Sequence, residues 1–140
     1  MSRVFWDTNL FVYLFEGSGE SAVAVRELRE RMLSRGDELC TSTLTLGEIL
    51  VKPLELGNTE LARRIEESIL ASARVIPFDA DAARTFASIR AEGAIRPADA
   101  IQLACAAQVR ADLFITNDER LSRRLVPGIQ FVSSLARAPI

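Results

Sequence analysis

At 140 residues the chain is long enough to bury a core of its own and leaves little room for a second domain. Apolar residues make up 49% and charged residues 26%, a globular balance; 17 Lys and Arg against 19 Asp and Glu leave a formal charge of −2, which argues against a generally basic nucleic-acid coat. There is no histidine, so Ser-His-Asp and Cys-His hydrolases, histidine acid/base nucleases, HExxH zinc sites and C2H2 fingers are excluded together.

Arg3 to Trp6 reads as a short strand that leads directly into Asp7-Thr8-Asn9. Leu10 to Phe15 is then apolar without interruption, so as a helix it should be buried on more than one face, and a subunit or partner surface would supply the second. Phe5, Trp6, Phe11, Tyr13 and Phe15 crowd into this corner. Glu20 to Arg35 carries an amphipathic helix with Val25, Leu28 and Met32 on one face, closed by Gly36-Asp37. Glu38 to Thr41 reads as a strand, and Ser42-Thr43 offers the cap of a helix carrying Leu44, Leu46, Ile49 and Leu50. Pro53 should kink or end that helix, and Gly57-Asn58 is a clear break.

Helix is expected over Thr59 to Ala73, strand over Arg74 to Phe78, and helix again over Asp79 to Glu92. Arg96-Pro97 opens an alanine-rich helix running to about Ala111, with proline in its favoured first turn. Leu113 to Thr116 is the next strand, followed by Asn117-Asp118 and a short charged helix, and a last strand is expected around Gln130 to Val132. Strands alternating with helices imply one α/β domain over residues 1–140, its parallel sheet covered on both faces. Cys40 and Cys105 each lie in apolar stretches and read as buried free thiols in a reducing cytoplasm. No stretch qualifies as a membrane span.

In such a sheet, ligands bind beyond the carboxyl ends of the strands, near the point where strand order reverses. Asp7 and Asp118 fall just after strands, while Glu48 and Asp99 lie in helices that enter from the same side. Taken singly, an Asp between strand and helix is ordinarily a cap, and Glu48 a solvated helix residue. Together, four acids at one end of a sheet repel one another unless a cation neutralises them. With no histidine and no nearby cysteine the donors are all hard oxygen, which favours Mg²⁺ or Mn²⁺ over Zn²⁺ and suits phosphoryl transfer.

Four segments, Val4 to Asn9, Thr41 to Leu50, Pro97 to Ala104 and Leu113 to Asp118, resemble in content and order the motifs of PIN domains. The similarity covers nearly the whole chain, and its length is that of VapC-type toxins of toxin–antitoxin pairs. The resemblance implies a three-layer α/β/α sandwich with a central parallel sheet of about five strands. It also implies a Mg²⁺- or Mn²⁺-dependent endoribonuclease. Carried over, Asp7, Glu48, Asp99 and Asp118 would be the acidic metal-site residues, Asp7 and Asp99 touching metal directly, Glu48 and Asp118 ligating or orienting a water on it. Thr8, Asn9, Ser42, Thr116 and Asn117 would hydrogen-bond around them or on the phosphate side. A homodimer is implied too, as is a cognate antitoxin that lays a peptide across the acidic groove; the Leu10 to Phe15 segment would suit either surface, and its pattern suits burial within the monomer equally.

Two other phosphotransfer classes fit poorly. A haloacid-dehalogenase type wants a second acid where Asn9 stands, and a receiver type wants a lysine at a late strand end, whereas Lys52 is the only lysine. The rival from another class is a non-catalytic or weakly active RNA- or protein-binding module on the same fold. For RNA, Arg96, Arg120 and Arg123 are the favoured phosphate contacts, because they flank Asp99 and Asp118. The acidic net charge does not oppose an RNA substrate: setting the four candidate acids aside reverses its sign.

Overall fold

Val4 and Trp6 point to one side of the first strand and Phe5 to the other, and all three are fully buried, the mark of a strand covered on both faces. In the computed structural model, which describes residues 1–140, this strand, β1 (Arg3–Trp6), is the middle of a five-stranded parallel sheet. The others are β2 (Glu38–Ser42), β3 (Arg74–Ile76), β4 (Leu113–Thr116) and β5 (Phe131–Ser134), in the order β3-β2-β1-β4-β5. The chain builds outward from β1 in one direction and then returns to build in the other. Strand order therefore reverses between β1 and β4.

Six helices cover the two faces. Helices α1 (Thr8–Glu16), α2 (Gly19–Arg35), α3 (Thr43–Glu55) and α4 (Thr59–Ser72) send Leu10, Phe11, Leu28, Met32, Ile49 and Ile69 onto the Val4/Trp6 face. Helices α5 (Ala80–Glu92) and α6 (Pro97–Gln108) close the Phe5 face, where the Phe5 and Phe114 rings stack with centroids 5.2 Å apart. Each ring fully removed from water contributes about 1.5–3 kcal/mol. The layers are those expected for an α/β/α sandwich. Cys40 and Cys105 are free and buried in the Phe5-side core, and burial pushes their thiols up to about 12 and about 11. No helix is long and apolar enough to cross a membrane.

Four local expectations need correction. Helix α3 runs through Pro53 to Glu55 before Leu56 and Gly57 end it. Pro53 stands in its last turns with a buried side chain, so one missing intrahelical bond is offset by packing. Strand β3 stops at Ile76, ahead of Pro77. Helix α6 ends at Gln108, because Arg110 takes a left-handed φ of 50° and the Ala111 amide reaches back to the Ala106 carbonyl. The charged segment after Asp118 forms turns instead of a helix: the Leu121 and Arg124 amides each bond three residues back, to the Asp118 and Leu121 carbonyls.

The apolar α1 segment is largely absorbed by the core. Leu10 and Phe11 are buried, and Val12, Tyr13, Leu14 and Phe15 are half-buried against the same cluster. The exposed large apolar side chains lie elsewhere, among them Val51, Leu54 and Leu56 at the end of α3.

Candidate active site

The β1 to α1 junction sets the first carboxylate. Asp7 caps α1 in extended conformation, and its amide donates to the Ile115 carbonyl at 3.0 Å, which pins it between β1 and β4. Its Oδ1 accepts from the Thr8 amide at 2.8 Å and from Gln102 Nε2 at 3.2 Å, and its Oδ2 from Thr116 Oγ1 at 2.7 Å. Asp7 is only 8% exposed. Burial raises its pKa above the ordinary carboxylate value, the three donors pull it back, and the charge of Asp99 adds to the rise.

Glu48 reaches the same place from α3, whose cap is Ser42, accepting from the Thr45 amide at 3.2 Å. Its Oε1 accepts from Thr8 Oγ1 at 2.8 Å, and that hydroxyl also lies 3.0 Å from Thr45 Oγ1. Asp99 enters from the first turn of α6, where Pro97 favours the helix start, and Asp118 from the turn after β4. All four carboxylates line one cleft of about 530 Å³ beyond the carboxyl ends of β1 and β4, with Thr8, Asn9, Arg96 and Gln102. This is where the strand order reverses.

Two arginines hold the outer acids. Arg96 Nε donates to Asp99 Oδ2 at 2.9 Å, and Arg96 Nη2 to Asp118 Oδ2 at 3.1 Å. Arg120 grips both Asp118 oxygens, Nε to Oδ1 at 3.0 Å and Nη2 to Oδ2 at 2.7 Å. Hydrogen bonding to Arg120 holds Asp118 below the ordinary carboxylate value. Two of the arginines expected to face phosphate are therefore turned onto the acids, while Arg123 is exposed and makes no ion pair.

The remaining expected residues divide. Thr8 links Asp7 to Glu48, and Thr116 donates to Asp7 while accepting from the Asp118 amide at 3.0 Å. Asn9 lines the cleft and accepts from the Asn117 amide at 3.3 Å. Asn117 itself faces away, its side chain donating to the Tyr13 hydroxyl at 2.7 Å. Sequence reasoning missed Gln102 and Thr45. Gln102 is buried, and besides Asp7 its Nε2 meets Thr8 Oγ1 at 3.0 Å and Thr45 Oγ1 at 2.7 Å, while its Oε1 accepts from Ser42. A signal existed: it stands three residues after Asp99 on the same helix face, a lone amide in an apolar run.

Every donor in the cleft is oxygen, a set that fits a hard divalent cation. No three acidic side chains converge as a ready-made cage for an ion. Instead a guanidinium lies between Asp99 and Asp118, so the pair already accommodates one positive charge.

Residues 4–124 match the PIN domain family. Solved structures of the same fold include VapBC2 from Rickettsia felis bound to a DNA fragment from their promoter, with a TM-score of 0.74 at 17% identity over 94% of this chain and 97% of that one. DNA-bound VapBC from Salmonella typhimurium gives 0.75 at 24% identity, covering 96% of this chain and 99% of that one. VapBC-5 from Mycobacterium tuberculosis, a toxin–antitoxin family member, gives 0.60 at 20% identity over 95% and 99%. No curated protein matches the sequence.

Proposed function

The chain belongs to the PIN domain family, and on that footing we propose that it is a Mg²⁺- or Mn²⁺-dependent endoribonuclease, the toxin of a VapBC-type pair. One observation carries the reading: carboxylates from four separate parts of the chain, Asp7, Glu48, Asp99 and Asp118, line one cleft at the strand-order reversal. The likeness to complexes named VapBC supports a cognate antitoxin as partner, and the reading includes a homodimer working in the cytoplasm.

A divalent cation, when bound, supplies Lewis-acid activation of water and neutralises charge on the scissile phosphate. Asp7, Asp99, Glu48 and Asp118, which line one cleft without converging on a single point, would have to draw together to hold it. Asp7 is the fixed member, clamped from three sides by Thr8, Gln102 and Thr116, with one Oδ2 lone pair left for an ion. Glu48 is exposed and can accept a proton from an attacking water. Thr8 and Thr116 bond the acids directly, Ser42 acts through Gln102 and the Asn117 amide holds Asn9 in the cleft wall, while Arg96 in the cleft, Arg120 on Asp118 and the exposed Arg123 are the candidate phosphate contacts. Cation-mediated pairing of Asp99 with Asp118 by arginine also suits the rival reading, a module with an idle site.

The two separate on cleavage of labelled cellular RNA by the purified chain with Mg²⁺, Mn²⁺ or EDTA. Cleavage should require the metal and disappear in Asp7→Asn and Asp99→Asn. Asp7→Asn should keep the fold, because it removes a buried charge whose ionised form burial disfavours. Undiminished cleavage in either variant, or none in the wild type, would sink the nuclease. For the toxin assignment, expression should arrest growth and co-expression of a short neighbouring reading frame should relieve it.

A further inference from the structure

Arg96 is placed unlike an ordinary surface arginine. Its backbone sits at the start of α6, where its carbonyl accepts from the Ala100 amide and the preceding Ile95 is buried and held by Arg90. The pivot is thus fixed, while the side chain is 60% exposed and can swing away without disturbing the core. One guanidinium touches both Asp99 Oδ2 and Asp118 Oδ2, and so occupies the space between the two carboxylates where a shared cation would lie. Arg120 differs, because it contacts Asp118 alone.

We propose that Arg96 is an internal counter-ion that competes with the divalent cation for Asp99 and Asp118, and that cation binding displaces it to the rim of the cleft. The inference rests on the metal-dependent reading above. A divalent ion and the Arg96 guanidinium cannot both fill the space between Asp99 Oδ2 and Asp118 Oδ2, and their like charges repel at that distance. The guanidinium fork satisfies both acids before metal arrives and keeps them from repelling each other. Metal affinity is then the difference between two bound states, so removing Arg96 strengthens binding. Once expelled, the same guanidinium stands at the rim of the cleft, where an anionic ligand would meet it.

The test uses the full chain with Mn²⁺ alone, titrated by loss of the free-ion EPR signal, and Mg²⁺ alone, followed by NMR. Arg96→Gln should bind Mn²⁺ roughly three- to tenfold more tightly than wild type, the range expected for losing exposed ion pairs. Arg96→Lys keeps the charge but loses the fork, and should tighten binding by less. Arg64→Gln, an exposed arginine of α4 with no ion pair to lose, should leave it unchanged. In wild type the Arg96 Nε–H resonance, assigned by its absence from Arg96→Lys, should shift and exchange faster as Mg²⁺ is added. Equal Mn²⁺ affinity in wild type and Arg96→Gln overturns the proposal, as does Mg²⁺ binding that moves Asp99 and Asp118 but not Arg96. No binding in wild type, Arg96→Gln or Arg96→Lys would bring down the metal-dependent reading and this inference with it. Binding that survives in Asp99→Asn at wild-type strength would put the ion elsewhere and overturn it too.

Discussion

Gln102→Leu removes an amide from the centre of the polar network and leaves a side chain of similar volume. Gln102 is 2% exposed, and its Nε2 has two protons to share among Asp7 Oδ1 at 3.2 Å, Thr8 Oγ1 at 3.0 Å and Thr45 Oγ1 at 2.7 Å. After the change Thr8 and Thr45 still have each other, and Asp7 keeps Thr8 and Thr116. What goes unanswered is the Ser42 hydroxyl proton and one face of a buried carboxylate. Each such group costs about 1–3 kcal/mol, and leucine returns part of it by transfer, for a net loss of about 2–4 kcal/mol. A chain of 140 residues has an unfolding entropy of about 0.3 kcal/mol/K, so the melting temperature should fall by about 10 °C. Thermal unfolding followed by circular dichroism measures this directly. In parallel, the Asp7 carboxyl carbon should titrate at higher pH than in wild type, because a donor to its charged form is gone. A melting temperature within about 2 °C of wild type, together with an unmoved Asp7 titration, would refute the claim that Gln102 holds the site.

Two other perturbations test the outer part of the cleft. Asp118 is held below the ordinary value, chiefly by hydrogen bonding to Arg120, so it contributes stability that is present above the unfolded-state pKa and lost as pH falls through the depressed one. Arg120→Ala should move the Asp118 titration back up, lower stability above about pH 4 and make the loss of stability on acidification shallower, the two proteins converging at low pH; an unchanged Asp118 midpoint by NMR would contradict this. On the ribonuclease reading, Arg123 is the one candidate phosphate contact not engaged with an acid. Arg123→Ala should weaken binding of an uncleavable single-stranded RNA and lower the salt slope by about 0.7, and an unchanged slope would remove it from the interface.

How far the fold was readable depends on how much of each element is decided locally. The strands carry their own signal: Val4 and Trp6 against Phe5, and Leu113 and Ile115 against Phe114, need two covered faces whatever the neighbours are. The order of the acids along strand ends then follows from topology, which is why the cleft could be expected at Asp7 and Asp118. Where expectation failed, tertiary context or a side chain decided. Pro53 stays helical because its ring is buried, which no propensity reports. After Asp118 the chain closes successive turns while Arg120 folds back onto the Asp118 carboxylate, a pairing that the charge pattern does not announce. For the α1 stripe, whose pattern suits a monomer core and a partner surface equally, the outcome depends on a core that α2, α3 and α4 build together.

Within the site, the acids were legible and their partners were not, because a spacing identifies a shared helix face but not how deep each residue lies. Arg96, Asp99 and Gln102 recur at intervals of three along the start of α6 and share one face. Their exposures are 60%, 16% and 2%, so that face descends from solvent to core. The descent assigns different physics to side chains that look equivalent in the sequence. At the bottom, an amide that cannot leave water-free surroundings without breaking four contacts fixes Asp7 and should register in stability. At the top, a cation that can swing freely should register in ion affinity and hardly in stability. Asp99 lies between them, bonded to the mobile group and adding its charge to the environment of the buried one. Its neutralisation should therefore alter both the ion affinity and the Asp7 titration, whereas Arg96→Gln should alter chiefly the first and Gln102→Leu chiefly the second.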